Sequence, residues 1–194
     1  EILKENKVEF FIGVGEAAIY GPKMDLITTD SLGREWQIST IQLDFIMPER
    51  FDLKYTDKDG KEKTPVMIHR AIIGSPERFM GILIEHYNGN FPLWLAPIQV
   101  KVIPVGEAHF EVARKTHELL RGSFIRSELD ISNNGFGKKV RNAKTMRIPY
   151  FIIIGDKDIQ ANKVTLESRD NRQIGQLTKN EVLERLGEEI QKRK

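Results

Sequence analysis

Apolar and polar positions alternate along residues 22–30 (PKMDLITTD), with Met24 and Leu26 on one side. A turn follows at Ser31-Leu32-Gly33, and REWQISTIQLDF (34–45) continues extended, so the segment reads as a β-hairpin. In the returning strand Trp36, Ile38 and Thr40 face one way, and Gln37, Ser39 and Ile41 the other. Gln42 and Leu43 reverse that order, which predicts a bulge or a switch of faces near Thr40. Residues 46–64, with Pro48 and TDKDGKEKT, read as a solvated loop. PVMIHRAII (65–73) is a buried strand by pattern. A helix then opens at Pro76, with Ser75 as N-cap and Glu77 in the first turn. Its apolar residues Phe79, Met80, Ile82, Leu83, Ile84 and Tyr87 surround most of the circumference, which predicts burial on more than one side. Gly81 in its middle predicts close approach of another backbone.

NGNFPLWLAP (88–97), with two Pro and two Asn around a Gly, marks a domain boundary. Beyond it strands and helices alternate. IQVKVIPV is a strand, EAHFEVARKTHELLRG a helix with Phe110, Ala113 and Leu120 inward, and FIRSELDI a second strand. FGKKVRNAKTMR is a basic helix that ends at Ile148–Pro149, and the unbroken apolar run of YFIIIG makes it a central strand. KVTLESR and RQIGQLT form a hairpin around an Asp170-Asn171 turn. Thr178 with Glu181 three residues on is a capping box for a last amphipathic helix. The order β-α-β-α-β-β-α describes an α/β domain.

The 194 residues are 40% hydrophobic and 30% charged, which indicates a globular chain rather than a disordered one. A formal charge of +2 means that any nucleic acid must be met by a local patch. No apolar run reaches the length of a membrane helix, and EILKENKVEF lacks the regions of a signal peptide. The first residue is not Met, so position 1 is expected to be a cut point. The absence of cysteine excludes disulfides and cysteine nucleophiles within the chain.

Four features could carry chemistry. In MIHRAIIGSPERF, Arg78 at the start of a helix suits either an anion such as a phosphate or an ion pair with a carboxylate of the 44–52 region. His69 in the preceding strand is either a hydrogen-bonded core residue or a metal donor whose fellow ligands lie elsewhere, since no HxH or HxxxH spacing exists. GVGEAAIYGPK (13–23) lacks the P-loop pattern and is either a surface turn or a tight turn delivering Tyr20 and Lys23 into a cleft. Lys138, Arg141 and Lys144 fall three apart on the basic helix, accompanied by Lys139 and Arg147 with no acidic residue, which suits a phosphate backbone or a solvated face.

GEAAIYGPKMD, REWQISTIQLDFIMPERF, PVMIHRAIIGSPERFMGILIEH and FPLWLAPIQVKVIP resemble, in order and spacing, the threonyl-tRNA synthetase family of class II aminoacyl-tRNA synthetases. HRAIIGSPERF resembles the third class II motif in its threonine-specific form. The resemblance implies an α/β (α+β) chain. Residues 1–92 would be the last part of a catalytic domain with an antiparallel sheet, and 93–194 an anticodon-binding domain with a mixed sheet. It implies activation of threonine with ATP and Mg²⁺, transfer to tRNA(Thr), one zinc ion per full-length subunit, a homodimeric full-length enzyme and a cytoplasmic location. Carried over, Arg78 is catalytic and meets the ATP phosphates, Gln37 and Thr40 lie near ATP, Tyr20 and Gln42 line the threonine pocket, and His69 is one of three zinc ligands. Asn133 is the retained residue of a tRNA-reading run, and Lys138, Lys139 and Arg141 of the basic helix are expected to bind tRNA.

The sequence departs from the family where Ser132, Asn134 and Gly135 stand beside Asn133, at Asp158 and Glu167 near the anticodon, and at Ser39, where glycine is common. The family's motifs 1 and 2 and its other two zinc ligands, a Cys and a His, are not among the 194 residues. The polypeptide alone is therefore expected neither to aminoacylate nor to bind zinc tightly. The alternative is a stand-alone tRNA- or anticodon-binding module, or a synthetase-like accessory protein, without catalysis.

Overall fold

The structure, a computed structural model, describes residues 2–170 and 173–193. It forms two units, Glu1–His86 and Tyr87–Lys194. The expected turn at Asp170-Asn171 lies partly outside the described residues, because Asn171 is among those omitted.

The first unit is built on a three-stranded antiparallel sheet, β1 (Lys23–Thr29), β2 (Glu35–Asp44) and β5 (Met67–Ala71), in the order β1-β2-β5. A short helix α1 (Ile2–Glu5) precedes it. Between β2 and β5 lie the single-turn α2 (Met47–Arg50) and a small hairpin of β3 (Tyr55–Thr56) and β4 (Glu62–Lys63), where the pattern predicts only loop. Helix α3 (Pro76–His86) follows β5. The Ser75 hydroxyl accepts from the Arg78 amide at 3.4 Å, as expected of an N-cap.

The expected burial of α3 is not realised: none of its residues is buried, and Met80 is 57% exposed. A Cβ at Gly81 would meet nothing within 4 Å, so no backbone approaches it. Among the described residues of this unit only Asp44 and Pro48 are buried, and many of its large apolar side chains are exposed.

The second unit encloses a full core. Its sheet runs β10-β9-β8-β6-β7, from β6 (Val100–Pro104), β7 (Ser127–Leu129), β8 (Tyr150–Ile154), β9 (Val164–Ser168) and β10 (Gln173–Leu177). β6, β7 and β8 are parallel, and β9 and β10 are antiparallel, giving the expected mixed sheet. A 3₁₀ turn at Glu107–His109 leads into α4 (Phe110–Gly122), α5 (Phe136–Thr145) joins β7 to β8, and α7 (Lys179–Gln191) ends the unit. A five-residue helix, α6 (Asp156–Gln160), interrupts the β8–β9 connection and is an addition to the expected order.

Strand order decides which face each helix covers. The first crossover moves outward from β6 to β7 and the second returns past β6 to β8, so right-handed connections put α4 and α5 on opposite faces. Val100, Val102, Tyr150, Ile152, Ile154, Val164 and Leu166 accordingly pack with Ala113 and Leu120 of α4 and Val182 and Leu186 of α7. Ile103 and Phe151 pack with Ala143 and Ile148 beyond, beside Phe136 and Val140 of α5. β8 is covered on both sides, which is why YFIII is apolar but for the Tyr150 hydroxyl, and that hydroxyl donates to Glu189 at 2.7 Å. The Thr178 hydroxyl accepts from the Glu181 amide and the Glu181 carboxylate accepts from the Thr178 amide, completing the capping box of α7.

Candidate functional site

In the first unit, Gly21 is what brings Tyr20 to the sheet. Residues 20–22 run against β2, with the Leu43 amide donating to Pro22 O at 3.0 Å and the Phe45 amide to Tyr20 O at 3.1 Å. A Cβ on Gly21 would lie 2.1 Å from Leu43 O, so only glycine allows this approach. The Tyr20 hydroxyl thereby donates to the Gln42 side-chain carbonyl. Gln42 lies opposite His69 in the β2–β5 register, and the Tyr20 and His69 rings meet edge-on with centroids 5.7 Å apart. Tyr20, Gln42 and His69 therefore converge on one sheet face.

Behind His69 stands a residue that the sequence pattern did not single out. Asp44, its side chain 1% exposed, receives His69 Nε2 at 2.8 Å on Oδ2, while the amides of Ile46 and Met47 both donate to Oδ1 at 2.9 Å. Burial would raise the carboxyl's pKa, but the bonds from Met47, His69 and Ile46 outweigh it and hold it below the usual carboxylate value. Its signal was present: Asp44 follows Gln42 by two positions and so shares its face.

A bulge on β2 supplies the other half of this face. Leu26 pairs with Ser39 and Ile27 with Gln37, so Ile38 is the extra residue. The irregularity falls two residues before Thr40, and it brings Gln37 to the side of Asp25, whose Oδ1 accepts from Gln37 Nε2 at 2.8 Å. Asp25 also bonds the Thr40 hydroxyl and Lys23. Burial opposes ionisation of Asp25, but Lys23 and Thr40 prevail and lower its pKa. The hydrogen bond that Lys23 donates to Asp25 in turn raises the pKa of Lys23. One carboxylate thus gathers Gln37, Thr40 and Lys23. Ser39 instead donates to Ala71 O at 2.8 Å, a cross-strand bond that glycine could not make.

Arg78 is exposed at the start of α3, with its guanidinium 5.8 Å from the Trp36 ring centroid. Among the described residues it has no ion pair, so the expected alternative of a carboxylate from 44–52 is not found. Trp36 is held in turn by Asp30, which accepts from its indole Nε1 at 2.7 Å and from Arg34 Nε at 2.6 Å. Arg70 points to the other face opposite Ile41, exposed and likewise without an ion pair among the described residues.

In the second unit the C-terminal ends of β6, β7 and β8 gather three loops at the point where strand order reverses, the usual place for a ligand crevice in such sheets. His109 and Asp156 join two of these loops, Nε2 to Oδ1 at 3.0 Å. Asp158 is buried, accepting from the Gly155 amide, the Thr165 hydroxyl and Gln176 Nε2 at 2.7–3.0 Å. Its carboxylate is committed to shaping the β8–β9 loop. In the loop after β7, Asp130, Ser132 and Asn134 bond one another, and Asn133 is left exposed. On α5, Lys138, Arg141 and Lys144 are exposed along one stripe. Lys139 is not part of it. It is 3% exposed, donates to Asp130 O at 3.2 Å and lies 5.5 Å from the Phe110 ring centroid, because position 139 falls on the inward side with Ala143.

Residues 2–87 match the family described as the tRNA synthetase class II core domain (G, H, P, S and T), and residues 99–189 the anticodon binding domain. The chain is 48% identical over 183 residues to a threonine–tRNA ligase of Pelodictyon phaeoclathratiforme, and 47% identical over 188 residues to one of Caldanaerobacter subterraneus. These alignments take in 94% and 97% of the chain. The chain is homologous to threonine–tRNA ligases over nearly its whole length. It spans 28% and 29% of the length of those two relatives. A solved structure, the RNA binding domain of threonyl-tRNA synthetase from Cryptosporidium parvum, superimposes with a TM-score of 0.83 at 35% identity, over 96% of this chain and 47% of that one.

The family's zinc finds only part of a site here. Among the described residues no three His, Cys, Asp or Glu side chains group so as to hold a metal ion, and the chain has no cysteine. His69 is one nitrogen donor backed by a carboxylate, and these residues alone do not fit a zinc ion.

Proposed function

We propose that the chain is the C-terminal part of a threonyl-tRNA synthetase, which activates threonine with ATP and Mg²⁺ and transfers it to tRNA(Thr). One observation carries this: 46–48% identity to threonine–tRNA ligases over 94–98% of the chain. In this reading residues 1–92 complete a class II catalytic domain and 93–194 bind the anticodon arm. Homodimerisation and a cytoplasmic location follow from the same family reading.

On the first unit, Tyr20 and Gln42 orient threonine: the phenol oxygen, having donated to the Gln42 carbonyl, can still accept, and Gln42 Nε2, which gives one proton to Thr40 Oγ1 at 3.3 Å, keeps a second for a polar substrate. Gln37 and Thr40, both held by Asp25, face the nucleotide. Arg78 meets the ATP phosphates and offsets negative charge as the threonine carboxylate displaces pyrophosphate. The residues of this chain do not form a zinc site by themselves; in a full-length enzyme His69 would be one donor to the family's zinc, which would there take up the threonine amino and hydroxyl groups. A site that demands the hydroxyl rejects valine strongly, where an apolar pocket cannot.

On the second unit, Asn133 faces the anticodon while Lys138 and Arg141 hold its backbone. This unit encloses its own core, which the first does not. That contrast supports tRNA binding by these 194 residues without catalysis. Fluorescence anisotropy with tRNA(Thr) against a non-cognate tRNA tests it, together with threonine-dependent ATP–pyrophosphate exchange. Cognate-selective binding without exchange is the expected result. Exchange by the 194-residue polypeptide alone, or equal affinity for both tRNAs, would sink the proposal.

A further inference from the structure

We propose that Asp44 is a positioning residue that sets the tautomer of His69, fixing its proton on Nε2 and leaving Nδ1 as a bare lone pair. The inference rests on the reading above for its functional meaning, and on geometry for its substance.

The two oxygens of Asp44 have separate duties. Oδ1 accepts from the Ile46 and Met47 amides at 2.9 Å each, closing the turn that leaves β2. Oδ2 accepts from His69 Nε2 at 2.8 Å. A carboxylate only accepts, so the ring must donate from Nε2, and a neutral imidazole then has no proton on Nδ1. Among the described residues Nδ1 takes part in no hydrogen bond. The ring is 43% exposed, whereas the Asp44 side chain is 1% exposed, so the buried carboxylate holds one edge while the rest of the ring is accessible. The ring shares its sheet face with Tyr20 and Gln42. A bare ring nitrogen there can serve a metal ion or a substrate hydrogen-bond donor, and a protonated one can serve neither. A carboxylate behind a ligating histidine is a common means of fixing which nitrogen is free.

The division of labour makes a specific substitution informative. In Asp44→Asn, the atom facing two backbone amides must still be an oxygen. The amide NH₂ therefore takes the place of Oδ2 and confronts Nε2 as a donor. The ring can satisfy it only by moving its own proton to Nδ1. The substitution keeps the size of the side chain and the turn, yet reverses the tautomer.

The test is ¹⁵N-resolved NMR of the histidine rings in the 194-residue chain, at about pH 8.5, where imidazoles are neutral. Assignment follows from loss of the His69 signals in His69→Gln. Wild type is expected to show a single tautomer protonated on Nε2, and Asp44→Asn a single tautomer protonated on Nδ1, with the remaining backbone shifts unchanged. The same tautomer in both proteins, or a free-imidazole mixture in wild type, overturns the proposal. Should Asp44→Asn fail to fold, the wild-type Nε2 proton decides: slow exchange with water supports the bond to Asp44, and rapid averaging refutes it. No substrate is present, so failure of the threonine-site reading leaves the tautomer result intact, and a tautomer mixture removes the role of Asp44 alone.

Discussion

The basic helix α5 offers a direct separation of surface chemistry from packing, because Lys138 and Lys139 are neighbours with opposite environments. Lys138 and Arg141 are exposed, whereas Lys139 is buried beneath Phe110 and bonded to Asp130 O. If the two exposed cations neutralise phosphates of a single-stranded anticodon loop, each contributes about 0.7 to the slope of log affinity against log salt. The double variant Lys138→Ala/Arg141→Ala then loses about 1.4 from the slope. Between 50 and 200 mM salt, a fourfold range, wild type should lose about sevenfold more affinity than the variant does. Lys139→Met keeps the apolar stem and removes the ammonium. Its slope should match wild type, while the lost bond lowers unfolding stability by about 1–2 kcal/mol. Anisotropy titrations with tRNA at four salt concentrations, beside urea denaturation of the same proteins, give both quantities. An unchanged slope in the double variant would make the stripe a solvated face, and a reduced slope in Lys139→Met would refute its assignment to the interior.

Other expectations follow from single contacts. Gly21→Ala places a carbon 2.1 Å from Leu43 O, so the 18–22 segment must leave β2; loss of the Tyr20–Gln42 contact, read by tyrosine-region NMR, is expected, and an unchanged spectrum would refute it. Thr178→Ala removes the cap of α7 and should cost about 1 kcal/mol in denaturant unfolding of the second unit, with no change counting against the capping box. Leu166→Ala, at a fully buried position of β9, should cost about 2–5 kcal/mol by the same assay. Tyr150 has its pKa pushed up to about 12 by burial and its bond to Glu189. The folded state then binds the proton more tightly than the unfolded one, so stability is full below about pH 10 and falls as pH rises toward 12. Tyr150→Phe should abolish that fall, and its persistence would place the cause elsewhere.

What could be read from the sequence depended on where the deciding contacts lie. The second unit was legible almost throughout because each of its elements buries a face against another element of the same unit. The run YFIII identified a strand covered on both sides, and the capping box at Thr178 fixed the start of α7. The helix α6 was missed since five residues carry too little periodicity to register. Periodicity likewise identified α3 in the first unit but misjudged its burial. Its apolar circumference reports what the sequence is built to meet, and these 86 residues do not supply it.

The candidate site shows the same division more sharply. Tyr20, Gln42 and His69 could be named from family motifs, yet their convergence depends on features that no motif expresses. Gly21 matters through a distance of 2.1 Å to a carbonyl, and Gln37 reaches Asp25 only because Ile38 is an extra residue in β2. Asp44 and Asp25, the two carboxylates that hold the named residues in place, looked like ordinary strand positions because deciding partners such as His69, Gln37 and the Ile46 amide lie on other strands or beyond a turn. Lys139 shows the converse error: membership of a run of like charges gave an outward role to a residue whose helical phase, shared with Ala143, turns it inward. Residues that touch a ligand can be recognised by type and spacing, whereas those that orient them are fixed by register, bulges and buried hydrogen bonds. The tautomer of His69 is the place where that second set most directly controls the first.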